Sequence, residues 1–287
     1  MSTPRPSKAD RREEARQAAL RVKEQQEREA KRQRTILFSI IGVAVVALVA
    51  VIAFIFANAP DESSRIATID FSESEDPIGE VTRPAGSTDD GGILLGPDGV
   101  ITSGDVPADA TVVSVYQDFL CPICGSFEQV NGQALDQLRA DGTAVVKIHP
   151  VAILDPASAG SQYSTRSATA FALVADRAPE AAADFNALLF ANQPSEGGAG
   201  LTDAQIAELA ASAGAPEDVV AAIEDGSYVR GEGSFRPWVA ATTEQAARDL
   251  PRLATPTVFV DDAELSQLGV DWRVPGALTE AVQQARG

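Results

Sequence analysis

The longest apolar stretch of the chain is residues 36–57, which carry no charge and have Ser39 as their only polar side chain. As a helix rising about 1.5 Å per residue, these 22 residues would span about 33 Å, enough to cross a hydrocarbon layer of about 30 Å. A buried helix of a soluble domain rarely continues for this length without a polar face. The pattern therefore predicts one N-terminal transmembrane helix over residues 36–57.

A cleaved signal peptide is the alternative interpretation of this run. Ala57-Asn58-Ala59 resembles a small-x-small cleavage site. However, the apolar region of a signal peptide is usually about 7–15 residues long, and Pro60 would directly follow the cut. We therefore expect an uncleaved anchor, and the sequence leaves open whether the chain is ever cut after Ala59.

Charge on the two sides of the run predicts its orientation. Residues 1–35 contain eleven Lys or Arg and six Asp or Glu, whereas the twenty residues after position 57 contain one basic residue, Arg65. Because basic flanks remain in the cytoplasm, we expect a charged cytoplasmic tail over residues 1–35 and an extracytoplasmic remainder. The tail lacks an apolar heptad seam, so a solvated helix is expected there, with a coiled coil or a lipid-binding segment as the alternatives.

Beyond the apolar run, the chain is first polar and then regains apolar segments. Residues 58–90 are acidic and rich in turn-forming residues, a composition that predicts a linker with little buried surface. At residues 93–101 two short apolar runs flank Gly-Pro-Asp-Gly, which predicts a hairpin at the start of a domain over residues 91–287.

A strand followed by an amphipathic helix is predicted next. Residues 111–116 are β-branched and apolar over the length of a strand. Apolar residues then recur at steps of four, three, four and four, as on the buried face of a helix, and Gly142 marks its end. The predicted buried positions are Ile123, Phe127, Val130, Ala134 and Leu138.

The remaining pattern completes an α/β fold. Residues 161–248 are rich in alanine and are interrupted by prolines and glycines, which predicts four or five helices. The β-branched and aromatic run Thr257–Val260 predicts a strand, and residues 275–285 predict a terminal helix. Strands and helices in this alternation form an α/β sandwich around one core.

Composition and charge argue against one class of function, the binding of nucleic acids. The hydrophobic fraction of 45% is that of a globular protein, but the 287 residues carry a net charge of −18. After residue 35 the chain holds twelve Lys or Arg against 35 Asp or Glu, so few cations are available to displace the counterions of a nucleic acid. Nucleic-acid binding is therefore not expected.

Both cysteines of the chain lie in Cys121-Pro122-Ile123-Cys124, at the start of the predicted helix. Proline suits the first helical position, so Cys121 is expected at the N-cap and Cys124 one turn inside the helix. The unpaired N–H groups and the positive dipole end of a helix start stabilise a thiolate and lower the pKa of Cys121. We therefore predict that Cys121 attacks and that the less accessible Cys124 resolves the mixed disulfide.

Two other roles for the cysteine pair are weaker. A structural disulfide across four residues would stabilise the fold by only about 2 kcal/mol, against about 4.7 kcal/mol for a loop of about a hundred residues. A metal site would need two more ligands, and His149 is the only histidine of the chain. No metal and no cofactor are therefore expected.

The cysteine segment resembles the active site of thioredoxin-fold disulfide oxidoreductases, and within them the DsbA-like branch. Residues 144–155 resemble the next strand of that family, the alanine-rich stretch with DFNALLFANQP resembles its helical insertion, and residues 254–262 resemble its Thr-Pro and following strand. The resemblance covers about residues 91–287. It implies a thioredoxin-like fold with an inserted all-helical subdomain at about residues 156–250.

The resemblance also implies roles for particular residues. Thr255 and Pro256 would form a cis-proline loop against the cysteine pair, where a free backbone group can pair with an incoming substrate chain. From the residues alone, His149 is expected to be a packing or loop histidine and not a base. Asp118 is expected to be a turn residue, with repulsion of a thiolate or proton relay as alternative roles.

Together, these observations predict a membrane-anchored thiol:disulfide oxidoreductase in a bacterial cell membrane, with an extracytoplasmic catalytic domain. The expected activity is disulfide formation in exported proteins through the Cys-Pro-Ile-Cys site, with a membrane redox partner for recycling. A disulfide isomerase or reductant with the same site is one alternative, and a non-catalytic membrane-tethered binding module is another. Strongly oxidising DsbA-type sites commonly carry His where this chain has Ile123, so the direction of electron flow stays open. The redox potential, the substrates, the recycling partner and the oligomeric state stay open too.

Overall fold

The computed structural model describes residues 69–287, and all structural statements below refer to these residues. The predicted cytoplasmic tail, the predicted transmembrane helix at 36–57 and the first part of the predicted linker lie outside the described residues. Within the described part, none of the helices combines the length and the apolar character needed to cross a membrane.

Six strands of the described chain form one mixed sheet: β1 (Ile93–Gly96), β2 (Gly99–Ile101), β3 (Thr111–Gln117), β4 (Ala144–Pro150), β5 (Thr257–Val260) and β6 (Ala263–Glu264). Their order across the sheet is β2-β1-β4-β3-β5-β6. β3 and β4 are parallel, and the other neighbouring strands are antiparallel. The predicted hairpin is formed by β1 and β2, in which Gly96 pairs with Gly99.

The centre of the sheet is buried because β3 and β4 are rich in β-branched apolar residues. Val112 of β3 and Lys147 of β4 are the only residues of these two strands that are partly exposed. Such burial on both faces is typical of parallel strands that are covered by helices. A parallel pair also needs a crossover connection, and α1 (Pro122–Ala140) supplies it.

The buried stripe of α1 differs in part from the predicted one. Ile123, predicted to be buried, is 50% exposed. The stripe of α1 that faces the sheet includes Cys124 instead. Because neighbouring residues of a helix point in different directions, the side chain of Ile123 then faces solvent. Gly142 follows the C-cap with a φ of 73°, as predicted for the helix end. The buried residues of α1 are Cys124, Phe127, Asn131, Gly132, Leu135 and Leu138.

Six α-helices lie between β4 and β5, where four or five helices were predicted: α2 (Tyr163–Arg177), α3 (Ala182–Ala191), α4 (Asp203–Ser212), α5 (Glu217–Glu224), α6 (Ser227–Arg230) and α7 (Arg236–Asp249). The additional helix, α6, is a single turn separated from α5 by Gly226, whose φ is 75°. A last helix, α8 (Ala277–Ala285), contacts α1, β3 and β5. The predicted α/β fold with inserted helices is therefore confirmed.

The insertion packs against the segment that precedes the cysteines. Phe119 lies in the loop between β3 and α1 and is completely buried. Its ring contacts Phe171 of α2 and Phe190 of α3, with ring centroids 5.8 and 5.1 Å away. These aromatic contacts join the insertion to the start of α1.

Part of the predicted linker packs against the domain. Ile78 is 1% exposed, and the backbone N–H of Ala85 donates a hydrogen bond to the carboxylate of Asp176 in α2. The Asp90 carboxylate accepts a hydrogen bond from Lys147 Nζ at 2.6 Å. The folded part therefore extends into the predicted linker, because isolated contacts such as these leave no periodic apolar pattern in the sequence.

His149 lies near the end of β4, beside this segment, and is completely buried. Its ring stacks on Tyr116 with centroids 4.0 Å apart, and Nε2 is 4.0 Å from the Asp90 carboxylate. Burial lowers the pKa of His149 to about 4, so the ring is neutral at pH 7. His149 therefore occupies a packing position, as expected from the sequence.

Replacement of Ile78 tests whether the segment before β1 belongs to the cooperative fold. Ile78→Ala is expected to lower the free energy of unfolding by about 2–4 kcal/mol, because it removes a buried side chain and leaves a cavity. Leu268, which is 48% exposed, offers the control, and Leu268→Ala should change this free energy by about 0.5 kcal/mol or less. Urea denaturation followed by tryptophan fluorescence measures both, and equal effects would contradict the packing role of Ile78.

Candidate active site

The two cysteines lie where β3 ends and α1 begins. Cys121 is the N-cap of α1, with an extended backbone at φ −70° and ψ 114°, and Pro122 is the first helical residue. Proline fits this position because its φ is already helical and it has no N–H to satisfy. Cys124 lies one turn inside the helix. The two cysteines are 5% and 1% exposed, respectively, and both are free thiols.

β5 brings a second loop to the cysteines. β5 pairs with β3, with Thr257 opposite Tyr116, so the loop before β5 lies beside the loop after β3. The Thr255–Pro256 peptide bond in this loop is cis. Cys121 Sγ lies 3.4 Å from the Thr255 carbonyl oxygen, to which it donates a hydrogen bond in its protonated form. The structure thus brings together predicted site residues that are 134 positions apart in the chain.

The surroundings shift the pKa values of the two thiols in opposite directions. The pKa of Cys121 is lowered to about 6, chiefly by a hydrogen bond from the Cys124 thiol, although burial acts in the opposite direction. The Thr255 side chain and the N–H groups of Cys124 and Ile123 lower this pKa further. Burial raises the pKa of Cys124 far above its usual range, and its hydrogen bond to the Cys121 sulfur adds to the effect. At neutral pH, Cys121 is therefore a thiolate and Cys124 a thiol.

Asp118 does more than form a turn. Its carboxylate is completely buried and accepts hydrogen bonds from the N–H of Leu120 at 2.8 Å, the N–H of Leu154 at 2.9 Å and the Ser164 hydroxyl at 2.7 Å. Burial raises the pKa of Asp118 to about 6 despite these three donors. The expected turn is present at Leu120, but the same carboxylate also ties the loop to α2 and to the segment after β4.

Gln193 is a further residue of the site that no motif of the sequence indicates. It follows α3 and donates hydrogen bonds from Nε2 to the carbonyl oxygens of Phe119 and Cys121, each over 2.9 Å. No local pattern could have indicated it, because its partners lie 74 and 72 positions earlier in the chain.

Grooves lie on two sides of the cysteine pair. One groove runs from Pro256 past Leu265 to Trp272. The other lies between α1 and α3, beside Pro122 and Gln193. The first groove thus includes Pro256, next to Thr255, and the second includes Pro122, next to Cys121.

The chain resembles known proteins in sequence and in structure. A family model described as thioredoxin matches residues 98–271. The structure of reduced DsbA from Mycobacterium tuberculosis is 31% identical with a TM-score of 0.53, covering 68% of this chain and 92% of DsbA. Reduced DsbG, a disulfide bond oxidoreductase from the same organism, is 30% identical with a TM-score of 0.53, covering 76% of this chain and 93% of DsbG. These similarities confirm the thioredoxin-like fold and support dithiol–disulfide exchange as its chemistry.

A curated relative matches a shorter part of the chain. The serine/threonine-protein kinase PknE of Mycobacterium tuberculosis is 32% identical over 134 residues, which are 45% of this chain. The match covers 23% of PknE, so this chain corresponds to less than a quarter of the length of that relative. The likeness therefore concerns a segment of the kinase, and no kinase activity follows from it.

Alkylation of the reduced protein tests the assignment of the two thiols. Because the thiolate is the reacting form, the rate of Cys121 with iodoacetamide is expected to rise about tenfold per pH unit below about pH 6 and to level off above it. Cys124 should stay unmodified while the protein is folded, and the Cys121→Ser variant allows the alkylation rate of Cys124 to be measured alone. Mass spectrometry of the peptides distinguishes the two sites, and equal rates would contradict the assignment.

Proposed function

Because this chain belongs to the thioredoxin family, we propose that it is a membrane-anchored, extracytoplasmic thiol:disulfide oxidoreductase that forms disulfides in exported proteins. The observation that carries the proposal is the contrast between the two thiols of the site. Cys121 is acidic at the start of a helix, whereas the buried Cys124 retains its proton. This contrast suits each sulfur to a different step of thiol–disulfide exchange.

The proposed reaction begins with a disulfide between Cys121 and Cys124. A substrate thiolate attacks Cys121 Sγ, the bond to Cys124 breaks, and Cys124 leaves as a thiolate that takes up a proton. A second substrate thiolate then attacks the substrate sulfur of the mixed disulfide and releases Cys121 as a thiolate. The substrate gains one disulfide and loses two electrons, and the two cysteines of the site are reduced.

The acidity of Cys121 favours oxidation of the substrate over the reverse reaction. A pKa of about 6 leaves about ten thiolates per thiol at pH 7, which stabilises the reduced site by about 1.4 kcal/mol, or about 30 mV for two electrons. A more stable reduced form makes the corresponding disulfide a stronger oxidant. We therefore favour an oxidase.

Ile123 favours the second candidate function, a disulfide isomerase or reductant with the same site. Its side chain is uncharged and 50% exposed, so it supplies a backbone N–H to the Cys121 thiolate but no positive charge. A cysteine pair whose disulfide is a weaker oxidant is suited to isomerisation or reduction of substrate disulfides. The further alternative, a non-catalytic binding module, does not account for an acidified thiol beside a buried partner.

Thr255 and Pro256 are proposed to bind the substrate chain. The Thr255 carbonyl oxygen lies 3.4 Å from Cys121 Sγ, so this loop is within reach of any segment joined to that sulfur. An extended substrate segment would pair with the backbone of the loop, as a strand added to a sheet edge does. Recognition of the backbone is compatible with substrates of different sequence.

The proposed location rests on the sequence outside the described residues. The uncharged run at 36–57 is long enough to anchor the chain, and the basic tail before it favours a cytoplasmic N-terminus. The cysteine site would then face a compartment in which disulfides persist. A membrane redox partner is proposed to reoxidise the site after each turnover.

A trapping variant tests the exchange chemistry in cells. Cys124→Ser leaves Cys121 without its resolving thiol, so mixed disulfides with exported cysteine-containing proteins are expected to accumulate. Non-reducing electrophoresis and mass spectrometry identify the adducts, which should disappear on reduction. Cys121→Ser is the matched control and should trap none. Absence of adducts from Cys124→Ser would argue against any redox role.

The resting redox state in intact cells tests the direction of electron flow. An oxidase is expected to be held mostly as the disulfide, because its partner removes the electrons that it accepts. Acid quenching, denaturation and alkylation with a mass-tagged maleimide measure the fraction of free thiols, with dithiothreitol-treated cells as the fully reduced reference. A mostly reduced protein would favour the isomerase or reductant.

A further inference from the structure

The side-chain amide of Gln193 joins the helical insertion to the backbone of the attacking cysteine. Nε2 donates to the carbonyl oxygens of Phe119 and Cys121, each over 2.9 Å. These carbonyls belong to the residues on either side of Leu120, and a primary amide has two N–H donors, so one side chain satisfies both. Gln193 therefore contacts the loop before α1 at two points.

Gly125 leaves room for this amide group. A Cβ atom at Gly125 would lie 2.4 Å from Gln193 Oε1, well inside van der Waals contact. Glycine is among the poorest helix formers, yet Gly125 lies in the first turns of α1. The glycine therefore allows the insertion to approach the start of the active-site helix.

The Cys121 carbonyl is held by two donors. One is Gln193 Nε2, and the other is the N–H of Gly125 at 3.1 Å. Together they fix the peptide plane between Cys121 and Pro122, which keeps Cys121 in its extended N-cap conformation. In this conformation the Cys121 sulfur accepts hydrogen bonds from the backbone N–H groups of Ile123 and Cys124. A rotation of this peptide plane would move the sulfur away from these donors.

The Phe119 carbonyl belongs to a completely buried residue. A buried carbonyl without a donor destabilises the conformation that contains it. The hydrogen bond from Gln193 therefore favours the observed path of the loop between β3 and α1 over other paths.

We propose that Gln193 is a positioning residue through which the helical insertion holds Cys121 in its reactive conformation. It acts on the sulfur through the loop backbone. The inference rests on the proposed function, because it concerns how Cys121 is made reactive for disulfide exchange. It also makes the insertion part of the active site.

Replacement of Gln193 tests this role. Gln193→Ala is expected to slow alkylation of Cys121 about threefold at pH 5, which corresponds to a rise of about half a unit in the thiolate titration midpoint. Asn192→Ala is the matched control, because Asn192 Nδ2 donates to the Leu188 carbonyl at 2.9 Å within its own helix region. It removes an equivalent amide hydrogen bond one position away and should leave the Cys121 rate at the wild-type value.

Gly125→Ala tests the same contact from the opposite side. The added Cβ would displace the Gln193 amide, so alkylation of Cys121 should slow by a similar factor. Alanine favours a helix, so this variant is expected to remain folded, as circular dichroism and thermal melting will show. The double variant Gly125→Ala/Gln193→Ala should be no slower than either single variant, because both remove one contact.

The outcomes separate this inference from the proposed function. Wild-type rates for Gln193→Ala at pH 5, equal slowing by Asn192→Ala, or additive effects in the double variant would overturn the positioning role. These results would leave the proposed function standing if the wild-type disulfide form oxidises a reduced, unfolded test protein such as ribonuclease. Failure of the wild-type protein to exchange disulfides with that protein would instead contradict the proposed function.

Discussion

The chemistry of this domain depends on a difference in solvation between two sulfur atoms that belong to residues three positions apart. Cys124 is enclosed between α1 and the sheet, so it keeps its proton and donates it in a hydrogen bond to Cys121. A hydrogen bond to a charged acceptor is stronger than one to a neutral acceptor, so this donor favours the thiolate. Pro122 and the Thr255 loop matter because they keep Cys121 at the helix start and at the surface of the core.

The helical insertion contributes to this arrangement on several sides. The loop between β3 and α1 is short, and besides its internal hydrogen bonds to Asp118 it is held by several residues of the insertion. Ser164 bonds to the Asp118 carboxylate, the rings of α2 and α3 enclose Phe119, and Gln193 bonds to two loop carbonyls. Apolar packing fixes the position of the loop, and the polar contacts fix the direction of its carbonyls.

Features that depend on neighbouring residues were predictable from the sequence, whereas features that depend on distant partners were not. Pro122 indicated the helix start because its fixed φ and missing N–H are local properties. An aspartate after a strand shows the same local pattern whether it only forms a turn or also ties distant segments, as Asp118 does with Leu154. Ile123 was assigned to the buried stripe by its apolar character, but the cysteine after it faces the core.

Because β5 pairs with β3 across the whole insertion, the site is completed late in the synthesis of the chain. A ribosome adds Cys121 134 residues before Thr255. Until the last strands emerge, β3 lacks one neighbour, and Cys121 lacks the Thr255 loop beside it. A nascent chain that ends before β5 therefore carries both cysteines without the Thr255 side of their site.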